Sequence, residues 1–527
     1  MAKPPSKFKR WAIRILIVLL IVGVPLGIFA WYNFFRQVPQ PEWITSNPEM
    51  NFLYGSIDSE NDAGMPYWLV VVLPRVFGQY LPGPGGYASL GLPWEEGKEL
   101  PTGFSKKTIG FERVAFNCAL CHSTRYRTKL EETPTIVAGG GSHTADIQGL
   151  LDFFSKAAND PRFNADEILT EIDLAYPLSW IDRQIYRYLL IPITRKRLIE
   201  QGQEFEWTAE RPRWGPGRDA PMNLTKFNFL QMERDDSIDH TDFPSLWNLQ
   251  VRIQPGRTWP EDDFALEADF SRINVEPSRL MLMNIAGDTT SLRSVLIDSA
   301  LGLRARNSAF FHRRMADLEQ WLRELPPPKY PLPVDATLVS AGAALFEQHC
   351  AECHTNGRDN RMGTVIPIEE VKTDPLRTEA WLREAANSAN RKVQEMGVER
   401  TPMSKPDRPG YIAMQLNGLW LRGPYLHNGS VPTVRALLDA PDQRPKQFYR
   451  GFDLLDPVGL GFVSQRCCEG AVTPSCVDPA AAQCIPENET AWLYDVNERG
   501  NGNGGHDYGT ALSPQEKNAL VEYMKTL

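Results

Sequence analysis

The 527-residue sequence has no stripe of basic residues, and few of its segments alternate between polar and apolar side chains. Its formal net charge is −9, and without a basic stripe to neutralise phosphates a nucleic-acid-binding protein is excluded. The scarcity of alternating segments predicts few strands, and hence a mainly α protein with long irregular loops. The length exceeds that of one ordinary domain, so two or three domains are expected.

Only one long apolar run is obvious, and it lies at the N-terminus. Residues 15–35 carry no charge, and as a helix they would rise about 30 Å, the thickness of the hydrocarbon core of a bilayer. Five basic residues precede the run within residues 1–14, which predicts a cytoplasmic N-terminus and export of everything after Arg36. A cleaved signal peptide is the alternative, but the residues around Ala30 offer no good cleavage site. We therefore expect a single-pass anchor in a bacterial inner membrane, with the rest of the chain in the periplasm.

The sequence has eight cysteines, and the first four form two identical patterns. These read Cys118-Ala-Leu-Cys121-His122 and Cys350-Ala-Glu-Cys353-His354. Each matches the attachment motif of c-type haem. Two thiols at this spacing reach the two vinyl groups of one porphyrin, and the following histidine binds the iron from the proximal side.

Two other kinds of site use paired cysteines. A zinc site would need the two pairs to meet across more than two hundred residues, and it would not explain a histidine at both fifth positions. A redox dithiol should lie near a βαβ pattern, which the sequence lacks. The motifs therefore predict two covalently bound haem c groups, with His122 and His354 as iron ligands.

The other four cysteines are Cys467, Cys468, Cys476 and Cys484, in a loop rich in Pro, Ala and Gly. In an exported protein they are expected to form two disulfides, and a metal site is the alternative. Three connectivities are possible. A bond between the adjacent Cys467 and Cys468 is the least expected, because disulfide geometry separates the two Cα atoms.

Helix signals place one cytochrome unit around each motif. An apolar helical pattern ends at the prolines that begin the linker Pro326–Pro333, and a similar helix closes the chain after a capping box at Ser513. Gly342 would allow close packing of the helix that leads into Cys350. We predict a cytoplasmic N-terminus at 1–14, an anchor at 15–35, and two tandem cytochrome c-like domains at 36–330 and 331–527.

The remaining histidines and two methionines are candidates for the sixth coordination position of each iron. His506 follows a glycine-rich segment, which lets the backbone approach a porphyrin, and it is the candidate for the second haem. Met403 and Met414 are the alternatives there. His143, after three glycines, is either a distal ligand of the first haem or a turn residue. His240 is interpreted as part of a solvated acidic turn, His312 as surface or propionate-facing, and His349 as pointing away from the haem.

Three segments resemble a known family. The run GLWLRGPYLHNGSVPT from Gly418 to Thr433 resembles the C-terminal domain of bacterial di-haem cytochrome c peroxidases. The run DFPSLWNLQVR and the end GNGGHDYGTALSPQEKNALVEYMKTL look more like the rubber oxygenase branch of that superfamily. The anchor and the four-cysteine loop depart from that pattern.

The resemblance implies different roles for the two haems. The first haem, on His122, would be catalytic, with an open or oxygen-occupied distal side. The second haem, on His354 and His506, would transfer electrons. Trp247 and Trp420 would be candidates for contact with the haems or for the electron path between them. His427 would contact an iron ligand rather than the iron itself.

Two hypotheses follow. The first is an oxidoreductase that reacts with a small oxidant, peroxide or oxygen, at the first haem and receives electrons from a redox partner protein through the second. The alternative is a pure electron carrier in which both irons have six ligands, which His143 as a distal ligand would favour.

Overall fold

The computed structural model describes residues 7–249, 284–289, 291–355, 361–405, 409–468, 476–479 and 483–527. Its first element is a continuous helix. This helix consists of α1 (Lys7–Val18), a π-helical turn (Leu19–Gly23), α2 (Val24–Ala30) and a second π-helical turn (Trp31–Phe35). Within it the 22-residue span Arg14–Phe35 is long enough and, by its composition, apolar enough to cross a membrane.

A four-stranded antiparallel sheet follows the helix. Its strands, in the order β1-β3-β4-β2, are β1 (Gln37–Val38), β3 (Phe104–Ile109), β4 (Phe111–Phe116) and β2 (Met65–Pro66). Gly110, with φ +75°, makes the tight turn between β3 and β4. The hairpin ends at Asn117, one residue before the first attachment motif.

The helices around this sheet enclose two cores. They are α3 (Glu42–Thr45), α4 (Pro48–Tyr54), α5 (Tyr67–Val76), α6 (Ile147–Asn159), α7 (Ala165–Ala175), α8 (Trp180–Ile185), α9 (Ile191–Glu204), α10 (Pro221–Asn223), α11 (Leu292–Gly302) and α12 (Ala309–Glu324). Helices α5, α6, α7 and α9 share one core with the hairpin, and α4, α11 and α12 form the other. Cys118 is buried in the second core and Leu120 in the first, so the first motif lies between them.

Two short antiparallel pairs complete this part of the chain. β5 (Ser123–Tyr126) pairs with β6 (Thr135–Ala138), and β7 (Arg218–Asp219) pairs with β8 (Thr241–Asp242). β5 begins directly after His122, so the pair fixes where the chain leaves the motif.

The rest of the chain begins with helix α13 and ends with helix α19. Its helices are α13 (Ala336–His349), α14 (Ala351–His354), α15 (Ile368–Val371), α16 (Leu376–Ala380), α17 (Arg383–Glu395), α18 (Val434–Leu437) and α19 (Pro514–Met524). Its strands are β9 (Val365–Pro367), β10 (Gly410–Ile412), β11 (Gln447–Arg450), β12 (Leu455–Asp456), β13 (Gly461–Phe462), β14 (Arg466–Cys467), β15 (Cys476–Val477) and β16 (Trp492–Asp495). The pairs β9–β10, β11–β16 and β12–β13 are antiparallel and β14–β15 is parallel.

Helices α13 and α19 cross at Gly342. A Cβ at this position would lie 2.0 Å from the carbonyl oxygen of Ala519, so only glycine allows this approach. The capping box at the start of α19 is present, with Ser513 and Glu516 bonding each other's backbone. Both sequence predictions are confirmed. Trp247 is fully buried in the same core as Phe346 of α13, although it precedes the proline linker.

The prediction of a mainly α protein is wrong. Helices make up 45% of the structure and strands 12%, in many small sheets, so the fold is mixed α/β. Most strands have two to four residues, which is too short for an alternating pattern to be seen. Strand β3 is longer, but Ser105 and Lys107 are buried in it through bonds to Glu60 and Asp58, where a strand pattern would place apolar residues.

The four cysteines of the late loop form two disulfides, Cys467–Cys484 and Cys468–Cys476. The adjacent cysteines are not bonded to each other. Cys467 lies in β14 and Cys476 lies in β15, so the two disulfides tie the loop to this parallel strand pair.

Candidate haem-binding sites

The first attachment motif is held by the residue before it. Asn117 caps the short turn Cys118–Leu120, because its side-chain oxygen accepts from the Ala119 N–H at 2.9 Å. The Asn117 side-chain amide donates to the carbonyl of Gly55 at 2.9 Å. Both thiols of this motif, on Cys118 and Cys121, are free. The turn therefore has a fixed position from which the thiols can bond a porphyrin.

His122 is oriented by a backbone carbonyl. Its Nδ1 lies 2.9 Å from the Pro244 oxygen, and as the donor in this bond Nδ1 leaves Nε2 as the metal-binding nitrogen. Burial lowers the pKa of His122 to about 4, so the ring is neutral at neutral pH. A neutral imidazole with one oriented nitrogen is the form that binds iron.

The second motif repeats this arrangement on a helical frame. Helix α13 leads into Cys350, α14 contains Cys353 and His354, and both thiols are free. His354 Nδ1 lies 2.6 Å from the Met414 carbonyl oxygen, and burial lowers the pKa of the ring. A cavity of about 210 Å³ borders His354, with Phe346, Leu416 and Tyr523 among its lining residues. Apolar walls around a proximal histidine fit a buried porphyrin.

His506 lies close to His354, with ring centres 6.3 Å apart and planes inclined by 42°. Two imidazoles that bind one metal from opposite sides have ring centres about 6 Å apart, from metal–nitrogen bonds of ~2 Å plus about 1 Å to each ring centre. The separation therefore fits an iron between the two rings. Burial lowers the pKa of His506 to about 3, with His354 and Arg444 as further causes, so this ring is also neutral.

The loop that carries His506 is fixed by a residue that the sequence interpretation missed. The buried guanidinium of Arg444 donates to the carbonyls of Asn503 and Gly505, both at 2.7 Å, and to that of His506 at 3.2 Å. The His506 N–H donates to Val371 at 2.7 Å. Gly505 has φ +70°, and a Cβ there would lie 2.3 Å from the backbone of Lys372. In the sequence the glycine run before His506 indicated that the backbone approaches another group closely, but it did not indicate which residues that group belongs to.

His143 contacts residues of both halves of the chain. Its ring stacks on Phe462 with centres 3.6 Å apart, and its Nδ1 lies 2.9 Å from the Thr124 hydroxyl. Burial lowers its pKa well below the usual value, with Arg125 and Arg450 as further causes. One ring face and one nitrogen are thus engaged by packing between β5 and β13.

The other candidate iron ligands have the following surroundings in the fold. His427 stacks on Tyr411 with centres 4.0 Å apart, and its Nε2 lies 3.1 Å from the Tyr411 hydroxyl. His312 bonds Asn307, and Met403 is buried in the apolar cluster around Trp381. His349 is exposed at the end of α13, as expected.

The prediction of a solvated turn at His240 is wrong. The residue is 3% exposed. Of the acidic residues before it, Asp235 and Asp236 are exposed, but Asp239 is buried and accepts the N–H groups of Met222 and Asn223.

Trp247 connects the two motifs. Its indole N–H donates to the Asn417 carbonyl at 2.8 Å. Three residues before Trp247 is Pro244, which orients His122, and three residues before Asn417 is Met414, which orients His354. Trp420 has a different role: its N–H donates to Pro328 of the linker at 3.0 Å. The two proximal histidines are therefore linked through two short backbone segments. The Trp247–Asn417 bond holds these segments together, with further bonds from Asn248 to Asn417 at 2.6 Å and from Gln415 to Trp247 at 3.4 Å.

Two carboxyl groups lie near the first motif, the half-buried Asp219 and the buried Asp239. Burial raises the pKa of Asp219 to about 8, and the neighbouring Asp239 adds to the rise. Asp219 also contributes to the raised pKa of the Cys121 thiol, after burial. No local pattern in the sequence indicates this pair, because the two residues come together only when β7 pairs with β8.

Residues 410–450 match a family model described as RoxA-like, cytochrome c-like. The chain is similar to RoxA-like cytochromes c. The matched segment begins at β10, contains His427 and ends in β11 with Arg450. This match supports a c-type cytochrome with covalently bound haem c. It does not confirm the wider relation to di-haem peroxidases.

Two proteins of Sinorhizobium fredii are also similar to the chain. The uncharacterized protein y4iM is 29% identical over 325 residues, which cover 54% of this chain and 64% of the relative. The uncharacterized protein y4iJ is 27% identical over 514 residues, which cover 79% of this chain and 77% of the relative. The chain thus spans slightly less than two thirds of the first relative's length.

Proposed function

We propose that this RoxA-like cytochrome c is a membrane-anchored di-haem oxidoreductase. The first site, at His122, would react with peroxide or oxygen, and the second, at His354 and His506, would supply electrons. The observation that carries the proposal is the difference between the rings beside the two proximal histidines. His506 lies at a bis-imidazole separation from His354, whereas the ring in contact with His122 is that of Phe243, which offers no iron ligand.

At the second site the chain's contribution is a rigid pair of ligands. Met414 orients His354, and Arg444 with Val371 holds the backbone on both sides of His506. Ligands that do not move between oxidation states minimise reorganisation during electron transfer. This arrangement supports a site that transfers electrons without binding a substrate.

At the first site the chain provides one oriented ligand and a protected environment. Pro244 orients His122, and the motif lies between two apolar cores. A haem c bound here would supply the iron at which peroxide or oxygen is reduced. Asp219, whose pKa is raised to about 8 by burial and by Asp239, keeps its proton at neutral pH and can donate it nearby.

The two sites are joined by the Trp247–Asn417 hydrogen bond. Electrons passing from the second site to the first would use this bond and the short backbone segments that end at Pro244 and Met414. The indole is fully buried, so water does not compete for the bond.

The proposal includes the arrangement of the whole chain. The units 36–330 and 331–527 would each hold one haem c, and the helix 15–35 would anchor them on the periplasmic side of a bacterial inner membrane. A redox partner protein would dock near Cys353, since this motif is half-buried and its surroundings carry the exposed ion pair of Arg361 and Glu370.

The test is turnover by the full-length holoprotein. We expect sustained consumption of hydrogen peroxide or oxygen when a reduced c-type donor is present, and an intact mass that includes two haem c groups. The variant Cys350→Ser/Cys353→Ser should still react with the oxidant but should lose sustained turnover with the protein donor. Absence of any reaction with either oxidant in the wild type would contradict the proposal and leave a pure electron carrier.

A further inference from the structure

A group of exposed apolar side chains lies along residues 174–193, from the end of α7 through α8 and the π-helical turn Tyr186–Leu190 to the first turn of α9. It consists of Leu174, Tyr176, Trp180, Ile181, Tyr188 and Ile193, here called the aromatic patch. Trp180 is 76% exposed and Tyr188 is 74% exposed. Large apolar side chains are rarely grouped on a surface that faces only water, so such a group marks an interaction surface.

The arginines within the patch are paired with acidic residues of α7. Arg187 pairs with Asp166 at 2.7 Å, and Arg183 pairs with Asp173. The patch therefore has little net charge of its own. Its partner must be recognised by apolar and aromatic contact rather than by opposite charge.

The membrane-crossing helix ends against the hairpin next to this patch. A Cβ on Gly110 would lie 2.2 Å from the Asn33 carbonyl oxygen, so the turn between β3 and β4 packs directly on the helix end. Arg113 of β4 donates to the Phe34 carbonyl at 3.3 Å. The helix end and the hairpin are thus one packed unit.

The same hairpin supports the patch from the other side. Arg113 pairs with Pro66 of β2, and two residues later Trp68 stacks on Tyr176 with ring centres 4.8 Å apart and planes 11° apart. The hydroxyl of the buried Tyr186, beside the patch, bonds the Trp68 backbone. Only β4 and the first turn of α5 therefore separate the patch from the end of the helix.

The helix end has aromatic residues of the same type. Trp31 is 56% exposed and Tyr32 is 51% exposed. Trp and Tyr are enriched where a protein passes from hydrocarbon to headgroups, because their rings are apolar and their N–H or O–H remains hydrated. The aromatic patch is linked to this end of the helix through β4, β2 and the first turn of α5.

We propose that the aromatic patch rests in the headgroup region of the same bilayer that the N-terminal helix crosses, with Trp180 and Tyr188 inserted. This proposal depends on the proposed membrane anchor. The partner is the lipid surface itself. Two points of attachment, the helix and the patch, fix the tilt of the globular part relative to the membrane.

The test is photo-crosslinking of the full-length holoprotein in phosphatidylcholine vesicles. Trp180→p-benzoylphenylalanine should form phospholipid adducts detectable by mass spectrometry. The matched control is Val458→p-benzoylphenylalanine, since Val458 is 81% exposed in the turn between β12 and β13. We expect adducts at position 180 at least severalfold above those at position 458.

Equal adducts at both positions, no adduct at position 180, or a crosslink from position 180 to a second copy of the chain would overturn the proposal. An alkaline carbonate wash of the same vesicles tests the anchor separately. A washed-off chain would contradict the anchor itself. A retained chain without lipid adducts at position 180 would contradict the patch alone.

Discussion

The two attachment motifs have the same sequence pattern but different surroundings. The first follows a β-hairpin and is buried between two apolar cores, with Cys118 9% exposed. The second follows a helix and is half-buried. Burial raises the pKa of its Cys353 thiol, which Arg361 lowers and Glu370 raises further. A motif of five residues thus determines attachment and the proximal ligand, while the surrounding fold determines access and the sixth ligand.

The two sites also differ in the residues expected on the side of the iron opposite the proximal histidine. The second site has a histidine loop anchored by Arg444. At the first site the ring in contact with His122 is that of Phe243, and the sequence candidate His143 is part of the packing between β5 and β13. In the proposed function, the more buried site would react with the small oxidant and the more accessible site would receive electrons from the protein donor.

The largest expected change comes from His506→Ala. Removing this imidazole should convert the second haem from low-spin to high-spin, because His354 alone remains as an axial ligand. Electron paramagnetic resonance of the ferric protein measures this directly. His143→Ala is the control and should leave the low-spin signal unchanged. An unchanged low-spin signal in His506→Ala would remove His506 from the ligands.

The next expected effect comes from Trp247→Phe. The change removes the N–H that bonds Asn417, so electron transfer between the two haems should slow severalfold while both spin states stay the same. The lost hydrogen bond should cost about 1 kcal/mol of stability. Rapid photoreduction of one haem followed by absorbance measures the rate.

Trp207→Phe is the matched control for this change. Trp207 is equally buried and donates to Asn228 at 3.0 Å, so it should cost similar stability without changing the rate. Equal rates in both variants and the wild type would exclude the Trp247 path.

A smaller effect, dependent on pH, is expected from Asp219→Asn. The folded pKa of Asp219 is raised from 3.8 to about 8 by burial and by Asp239. Between these values the unfolded carboxyl loses its proton while the folded one keeps it. The free energy of unfolding of the wild type should therefore fall as pH rises through this window, by at most about 1.4 kcal/mol per pH unit.

The asparagine cannot titrate, so the variant should gain stability relative to the wild type from pH 4 to pH 8 and no further above it. Denaturant unfolding at several pH values measures the difference. Asp160→Asn should show the opposite sign, because hydrogen bonds from Arg162 hold the pKa of Asp160 below its usual value. The stability that the Asp160 carboxylate contributes is present above the usual pKa of this group and is lost as pH falls. A difference in the free energy of unfolding between Asp219→Asn and the wild type that does not change with pH would contradict the raised pKa of Asp219.

The smallest expected effect on either haem site comes from Cys468→Ser/Cys476→Ser. This disulfide closes a loop of 8 residues, and its loss should cost about 2 kcal/mol of stability. Both spin states should stay the same, because Cys468 and Cys476 join the ends of β14 and β15, and neither strand contains a residue of either motif. A changed spectrum, compared by absorbance with the wild type, would show that the loop supports a haem site.

The sequence predicted the features that depend on short-range chemistry. The capping box at Ser513 and the close packing at Gly342 each involve residues whose spacing or type has one physical meaning. The attachment motifs are short-range patterns of the same kind, and haem binding at each of them stays a prediction. The glycine run before His506 also indicated a close approach. These features are independent of how distant segments pair.

Features formed by distant segments were not predictable. The β-hairpin before Cys118 contains buried Ser105 and Lys107, whose partners Glu60 and Asp58 are more than forty residues away. Arg444 reaches the His506 loop across about sixty residues. The Asp219–Asp239 pair likewise exists only after folding, so no local pattern indicates it.

The central claim is that one iron has an open position and the other has two histidine ligands. Low-temperature electron paramagnetic resonance of the purified ferric protein, with and without hydrogen peroxide, tests it most directly. The account predicts one high-spin and one low-spin signal of equal amount, with only the high-spin signal responding to peroxide. Two low-spin signals that do not change with peroxide, even after partial reduction, would contradict it.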